Sequence, residues 1–388
     1  MRFDELDLED EILDGLEDMN FHEMTPVQEH TIPVILEGRD IIGCAQTGTG
    51  KTAAYTLPLL NKLLIEGNPD NVVKSLIIVP TRELAQQIDQ QFQGFSYYAP
   101  LSTTVVYGGG DGKGWDIQKN GMLNGADVVI ACLGESADMS GEGYCRSELG
   151  LPGVQQELLK ELKKTGKPVV LLLSNGRPLT LAWEKENIET IVETWFLGTE
   201  AGNAVADVLF GKYNPSGKLV MSFPYNVGQI PVYYNHKHTG RPFEPNQRYV
   251  MHYIDAPVDA LYPFGYGLSY TTFEYGVPTL SSDRMADDGR ITATVKVANT
   301  GDYDGEEVVQ LYIRDIKAQI TRPVKELKGF RKIFLKKGES ADVTFDITRS
   351  ELEYVLADGS VVSDPGEFEL FIGGSSADLR PVRFTVLQ

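Results

Sequence analysis

The stretch GADVVIACLGE, residues 125–135, decides the fold class of the chain. Its centre, VVIA at 128–131, is an apolar run without a polar break, which predicts a strand buried on both faces. Strand-like runs and helical patterns alternate on both sides of it, as in KSLIIVP before TRELAQQIDQQF and GVQQELLKELKKTG before KPVVLLLSNG. This alternation predicts an α/β fold with a mostly parallel sheet covered by helices.

Downstream of the predicted parallel sheet, the composition and residue pattern of the sequence change twice. Residues from about 212 to 270 are dense in proline, tyrosine and glycine, which predicts a long irregular segment. From about residue 276, short alternating runs such as ITATVKVANTG and EEVVQLYIRD are separated by turn residues. They predict an all-β sandwich of about a hundred residues.

Composition limits the function classes before any motif is considered. The 388 residues carry a net charge of −20, with −12 in residues 1–131, so neither part has the basic excess that drives nucleic-acid binding. No apolar run is long enough to predict a membrane span. The acidic start, MRFDELDLEDEILDGLEDM, does not resemble a signal peptide and predicts a cytoplasmic protein. The three cysteines have no paired spacing and predict neither a disulfide framework nor a zinc site.

AQTGTGKT at residues 45–52 fits the phosphate-binding P-loop pattern, with alanine in place of the first glycine. A strand-like run precedes it and a helical run follows, which is the setting that the motif requires. We expect glycines to let backbone N–H groups surround phosphate oxygens, Lys51 to reach the terminal phosphates, and Thr52 to bind Mg²⁺. A glycine-rich turn without function is the alternative. The nucleotide-binding residues expected from the loop are Thr47, Gly48, Thr49, Gly50, Lys51 and Thr52.

Motifs on both sides of this loop resemble those of one family. FHEMTPVQ places Phe21 seven residues before Gln28, while PTRELAQQI and the pair Gly109-Gly110 follow the loop. In this order residues 1–131 resemble the first half of the first RecA-like domain of DEAD-box RNA helicases. The resemblance implies ATP with Mg²⁺ as ligand, recognition of adenine by Gln28, and stacking by Phe21. It also implies weak contacts with the RNA backbone near Thr81, Arg82 and Gly109.

The helicase pattern stops after residue 131. The family continues with a Thr-Pro-Gly-Arg type RNA contact, an Asp-Glu-Ala-Asp box that holds Mg²⁺, and a second RecA-like domain, and the sequence shows none of them. Phosphoryl transfer needs a carboxylate for the metal and a group that positions water, besides the phosphate cradle. We therefore expect nucleotide binding without efficient hydrolysis, and no RNA unwinding.

A second resemblance begins where the first one ends. The residues from ADVVIACLGESADMSGEGYCRSELG through SNGRPL to LYPFGYGLSYTTFEY resemble the α/β-sandwich domain of glycoside hydrolase family 3 β-glucosidases. VANTGDYDGEEVVQLYIRD and RPVKELKGF resemble the fibronectin type III-like domain of that family. The expected order is a partial RecA-like P-loop sheet at 1–131, a partial α/β sandwich at 126–275 and an all-β fibronectin type III-like sandwich at 276–388.

The glycoside hydrolase resemblance implies hydrolysis of O-glycosyl bonds in β-glucosides or oligosaccharides. It implies an acid/base glutamate in SGEGY, where the matching residue is Glu142, since an acid must protonate the leaving oxygen. A solvated glutamate without function is the alternative, and Glu135 and Glu148 are rival candidates. Cys145 stands where the family usually has Asp or Ser. Five aromatic residues are candidates for sugar stacking, although most are expected to pack internally: Trp183, Trp195, Tyr262, Phe264 and Tyr266.

The same resemblance implies a nucleophilic Asp on a (β/α)8 barrel of about 250 residues ahead of the sandwich. Residues 1–125 carry helicase motifs instead. Because a retaining glycosidase needs two carboxyl groups about 5 Å apart, we expect negligible glycosidase activity. The helicase motifs end and the glycoside hydrolase motifs begin at the same strand. The chain is therefore also consistent with a product of recombination or sequence assembly that has no selected function. Unpaired sheet edges at the junction predict self-association, and the parent glycosidase is expected to be periplasmic or secreted.

Overall fold

The computed structural model divides the chain into two compact units. The first unit contains residues 1–134, 152–174 and 187–194, and the second contains residues 135–151, 175–186 and 195–388. The structure describes residues 1–39, 41, 50–67, 75, 77, 82–101, 103, 128–244, 246–286, 289–377 and 379–387. No helix within these ranges has both the length and the apolar character that a membrane span needs.

The described residues of the N-terminal part of the first unit include four α-helices: α1 (Asp10–Asp18), α2 (Pro26–Leu36), α3 (Lys51–Glu66) and α4 (Arg82–Phe95). A Cβ at Gly15 would lie 2.6 Å from the carbonyl oxygen of Phe95, so only glycine lets α1 approach the end of α4. The apolar faces of the helices share one core, which includes Ile12, Leu16, Ile32, Leu57, Leu60, Phe92 and Phe95.

Two predicted helices in this part are confirmed. α3 is the helix that follows the P-loop, and α4 covers the TRELAQQIDQQF segment. The strands predicted between residues 40 and 127 lie outside the described residues, apart from isolated positions. The RecA-like sheet therefore stays a prediction.

Three parallel strands follow, β1 (Val129–Gly134), β2 (Val169–Ser174) and β3 (Thr190–Glu193), in the order β1-β2-β3. Ala131 pairs with Leu171, which pairs with Ile191. The strand predicted at the junction is thus confirmed, and it continues beyond residue 131. The helices that follow these strands in the chain are α5 (Gln155–Lys164), α6 (Ala182–Asn187) and α7 (Ala201–Leu209).

The second unit contains the irregular segment and the β-sandwich, both of which are confirmed. Between α7 and β4 the described residues form one 3₁₀ turn, at Val227–Gln229, and otherwise no helix or strand. The sandwich contains helix α8 (Arg349–Leu352) and the strands β4 (Phe273–Tyr275), β5 (Thr279–Leu280), β6 (Arg284–Met285), β7 (Ile291–Asn299), β8 (Gly305–Asp315), β9 (Glu326–Leu335), β10 (Ser340–Ile347), β11 (Tyr354–Val355), β12 (Val361–Val362), β13 (Gly366–Gly373) and β14 (Val382–Val386).

Two mainly antiparallel sheets enclose the core of the sandwich. One sheet has the order β10-β7-β4, with β5 also paired to β7, and the other has the order β6-β14-β13-β8-β9. Alternate residues are buried along β7 and in the second half of β10, as the period of two in the sequence predicts, whereas β8 and β13 have longer buried runs. The buried core includes Ile291, Ala293, Val295, Val297, Val309, Leu311, Ile313, Phe368 and Phe384.

Buried polar contacts fix the irregular segment to the sandwich. The Lys218 ammonium lies 3.0 Å from the Glu307 carboxylate. Gln310, which is 3% exposed, donates from Nε2 to the carbonyl oxygens of Gly265 at 3.0 Å and Gly374 at 2.7 Å. Because buried donors need partners, these contacts hold a segment that has no regular structure of its own.

Candidate functional site

Glu142 lies at the tip of a tight turn formed by residues 141–144. The turn is closed by a hydrogen bond from the Tyr144 N–H to the carbonyl oxygen of Gly141 at 3.2 Å. Gly141 and Gly143, on either side of Glu142, have φ values of +130° and +82°, which residues with side chains rarely adopt. The Glu142 side chain is exposed, as a group that has to reach a substrate must be.

The base of this turn is held by a buried carboxylate. The side chain of Glu135 is fully buried, and its Oε1 lies 2.8 Å from Arg146 Nη1 and 3.1 Å from Arg177 Nε. The Gly176 N–H donates to the second carboxylate oxygen at 3.3 Å. Two guanidinium groups and one backbone donor compensate the buried charge, as such a charge requires.

The two arginines link Glu135 to the chain around Glu142. Arg177 Nη2 donates to the carbonyl oxygens of Met139 at 2.5 Å and Tyr144 at 2.9 Å. Arg146 Nη2 donates to the carbonyl oxygen of Gly150 at 2.9 Å. Neither arginine was predicted as a site residue, although both lie in stretches that carry the glycoside hydrolase resemblance, CRSELG and SNGRPL.

This geometry separates the three candidate glutamates. Glu135 is enclosed by its partners and is suited to support the loop, whereas Glu142 and Glu148 are exposed. Of the two exposed residues, only Glu142 lies within the segment bridged by Arg177. The acid/base role of Glu142 stays a prediction that this arrangement supports.

The candidate sugar-stacking residues lie largely in aromatic packing. Trp195 has a φ of +52° and its ring centre lies 5.9 Å from that of Phe223, whose ring contacts Tyr262 in turn. Tyr262 also contacts Tyr266, and the Lys185 ammonium lies 5.0 Å from the centre of the Tyr262 ring. Burial raises the pKa of Tyr262 to about 12. Phe264 stacks on Tyr234 at 4.3 Å, and Trp183 is partly buried.

The candidate adenine contact, Gln28, is 1% exposed and belongs to the start of α2. Its Oε1 accepts a hydrogen bond from the Thr25 N–H at 2.8 Å, which forms a capping box at the helix N-terminus. Its Nε2 donates to the Gly50 carbonyl oxygen at 3.0 Å. Gly50 has a φ of +80°, and a Cβ there would lie 2.4 Å from that nitrogen. The structure thus joins Gln28 to the last residue of the P-loop before α3.

The candidate stacking residue, Phe21, packs edge-on against Phe95, with ring centres 5.4 Å apart, and against Phe3 at 6.4 Å. Phe21 also lines a cleft of about 430 Å³ together with Asn20, His22 and Glu23. The ring is partly buried, so one part of it belongs to the helical core and another part borders the cleft.

Lys51 and Thr52 are the first two residues of α3, where the free N–H groups and the helix dipole favour phosphate. Within the described ranges, no group of three or more His, Cys, Asp or Glu is arranged to hold a metal ion. Arg82 begins α4, and the position of its side chain lies outside the described structure. Other predicted contacts that also lie outside it are Thr47, Gly48, Thr49, Thr81 and Gly109.

Comparison with known proteins tests the resemblance to glycoside hydrolase family 3. Residues 24–270 match the glycosyl hydrolase family 3 C-terminal domain, and residues 307–376 match the fibronectin type III-like domain. These matches support the α/β domain and the sandwich that follows it. The helicase resemblance of residues 1–131 stays a prediction.

Curated relatives and a solved structure agree with this family. The chain is 51% identical over 264 residues to a periplasmic β-glucosidase of Salmonella typhimurium, which covers 68% of the chain and 34% of that protein. It is 39% identical over 375 residues to a β-xylosidase of Formosa agariphila, which covers 88% of the chain and 51% of the relative. A crystal structure of a β-glucosidase from Listeria innocua with gluconolactone superposes with a TM-score of 0.69, at 41% identity over 74% of the chain and 40% of the other.

The chain therefore spans about a third to a half of the length of these relatives. The family match covers well over half of the chain, from the N-terminal helices to the end of the irregular segment. The chain belongs to glycoside hydrolase family 3.

Proposed function

We propose that the chain carries the acid/base part of a β-glucosidase-type hydrolase for β-glucosides or related oligosaccharides, with Glu142 in the acid/base position. The observation that carries this proposal is an exposed carboxyl on a turn whose base is tied to the buried Glu135 by Arg177. A general acid has to reach the leaving oxygen from a fixed position, which suits this arrangement. The β-glucosidase and β-xylosidase relatives support the substrate class.

An affinity label tests the role of Glu142 without turnover. The carboxylate of an acid/base residue displaces bromide from N-bromoacetyl β-glucosylamine and forms an ester that mass spectrometry locates. We expect saturable labelling at Glu142, slowed by glucose, and none at the exposed Glu148. The experiment uses a background with Cys132→Ser and Cys145→Ser, because these two exposed thiols would otherwise take the reagent. Equal labelling of both glutamates, or none at Glu142, contradicts the proposal.

We further propose that turnover by this chain is negligible. The family resemblance assigns the nucleophile to a barrel ahead of the α/β sandwich, whereas residues 1–125 contain helices α1 to α4 and the helicase-like motifs. An acid/base residue alone cannot form the covalent intermediate of a retaining glycosidase. We expect p-nitrophenyl β-glucoside to release nitrophenol at the rate of the blank. Faster release that is lost in Glu142→Gln and kept in Glu148→Gln would contradict this expectation.

A second function rests on a separate observation, the position of Lys51 and Thr52 at the N-terminus of α3, where free N–H groups favour phosphate. We propose that ATP or ADP with Mg²⁺ binds here without efficient hydrolysis, and that RNA binds weakly through Thr81, Arg82 and Gly109. A fluorescent ATP analogue should bind to the wild type and lose affinity in Lys51→Ala. Lys62→Ala is the matched control, because Lys62 is an exposed residue of the same helix. Equal binding in wild type and Lys51→Ala would refute the nucleotide site.

Location and origin are proposals as well. A cytoplasmic location is proposed for the chain, and the name of the Salmonella relative supports a periplasmic or secreted parent glycosidase. Cell fractionation with an antibody against the sandwich distinguishes the two locations. A recombination or assembly product is the alternative to a selected function. One sequencing read across the junction codons in native DNA would exclude an assembly product.

A further inference from the structure

We infer that Arg177 is the positioning residue of the turn that carries Glu142, an inference that rests on the proposed acid/base role of Glu142. A single guanidinium nitrogen, Nη2, donates to the carbonyl oxygens of Met139 and Tyr144. These two carbonyls lie three residues before and two residues after Glu142. One side chain therefore ties together the two ends of the segment that presents the carboxyl.

Among the described residues, few other hydrogen bonds hold the turn. Its own closure is one backbone hydrogen bond, from Tyr144 to Gly141 at 3.2 Å. Glycines on both sides of Glu142 increase the conformational entropy that the chain loses when the turn forms. Since Glu142 is exposed, packing of its own side chain does not fix the carboxyl. The contacts of Arg177 are therefore the main restraint on where that carboxyl lies.

Arg177 is itself fixed from the opposite side. Its Nε lies 3.1 Å from the fully buried carboxylate of Glu135, and the Arg177 side chain is 21% exposed. Arg146 neutralises the same carboxylate from a second direction. A planar guanidinium can bond to Glu135 through Nε and to the two carbonyls through Nη2, whereas lysine has one compact ammonium group. The arrangement thus requires arginine.

The residue before Arg177 adds a steric restraint. A Cβ at Gly176 would lie 2.1 Å from Ser140 Oγ and 2.8 Å from the Phe196 ring. The chain at Ser140 therefore packs directly on the backbone beside Arg177. Hydrogen bonding and close packing act on the same segment, which supports a positioning role.

Hydrogen exchange tests the restraint independently of any sugar. In Arg177→Met we expect amide exchange in residues 140–145 to become about tenfold faster, because two hydrogen bonds to this segment are lost. Arg177→Lys should give an intermediate rate, and it replaces Arg177→Met if that variant does not fold. Arg290→Met is the matched control, because it removes an exposed Arg–Asp ion pair in the sandwich. Unchanged exchange in both Arg177 variants would overturn the inference.

Affinity labelling separates positioning from general stability. We expect Arg177→Met to lower the rate of labelling at Glu142 about tenfold, with a smaller change in the half-saturating concentration of the label. Arg177→Lys should recover part of the rate. If the wild type is not labelled at Glu142, the acid/base role of Glu142 is contradicted. Hydrogen exchange then still tests whether Arg177 restrains the turn. If wild type and both variants are labelled equally, Arg177 has no positioning role while the acid/base role stands.

Discussion

The turn around Glu142 and the contact between Gln28 and Gly50 present their candidate functional groups in opposite ways. In the turn, the buried residue is a support, Glu135, and the candidate catalytic carboxyl is exposed. At the start of α3, the buried residue Gln28 is itself the candidate ligand contact. Both of its polar atoms already bond to the protein, to Thr25 and to Gly50.

This difference affects what each region can bind. Contact with the exposed Glu142 carboxyl breaks none of the hydrogen bonds that fix the turn, since those are made by Arg177 and by the backbone. A nucleotide that used Gln28 would have to replace a hydrogen bond to the protein, and a typical one contributes about 1 kcal/mol. Gln28 therefore has a structural role in the capping box of α2, at the position where the helicase resemblance implies ligand recognition.

The largest expected loss in the free energy of unfolding comes from removing the buried carboxylate that supports the turn. Glu135→Gln leaves two guanidinium groups around a neutral amide, and removing one partner of a buried ion pair costs about 3 kcal/mol. Urea unfolding should show this loss. Glu148→Gln, an exposed glutamate in the same stretch, should change the free energy of unfolding by less than about 0.5 kcal/mol. A small effect of Glu135→Gln would mean that the buried carboxylate does not support the turn.

A smaller effect is expected where Gln28 meets Gly50. Gly50→Ala combines a side chain at a φ of +80° with a Cβ that would lie 2.4 Å from Gln28 Nε2. Gly38→Ala is the matched control, because its φ is +76° and no atom of the described residues lies within 4 Å of the added Cβ. We expect a loss of about 1 kcal/mol in the control from strain alone, and about twice that in Gly50→Ala. Equal losses in thermal or urea unfolding would show that the contact with Gln28 adds no stability.

The capping box gives a still smaller effect. Thr25→Ala removes the side chain that caps α2 and should cost about 1 kcal/mol. Thr31→Ala removes a hydroxyl that bonds within the same helix, to Val27, and should cost little because alanine favours helix. Urea unfolding of the two variants gives the comparison. If Thr25→Ala were as mild as Thr31→Ala, the Thr25 side chain would contribute nothing to the cap of α2.

The sequence predicts regular elements better than contacts between them. The apolar runs of β1 and β2 and the alternation in β7 and β8 predict strands because burial imposes a local period. The motif around Glu142 is also local. The partners of Glu135 are not local in sequence, since Arg177 lies 42 residues away from it. Nothing in a local pattern distinguishes that arginine from a solvated one, and for the same reason Glu135 was a rival candidate for the acid/base role.

The smallest expected change in the free energy of unfolding gives the most direct test of the contrast between Glu142 and Gln28. Glu142→Gln should change the free energy of unfolding by less than about 0.5 kcal/mol, because the side chain is exposed and the contacts of Arg177 use backbone carbonyls. Gln28→Ala should instead cost about 2 kcal/mol, because it removes a buried amide and leaves the Thr25 N–H and the Gly50 carbonyl without that partner. Urea unfolding of both variants measures the contrast. A loss above about 1 kcal/mol in Glu142→Gln would make that glutamate a structural residue, and the two regions would then hold their candidate groups in the same way.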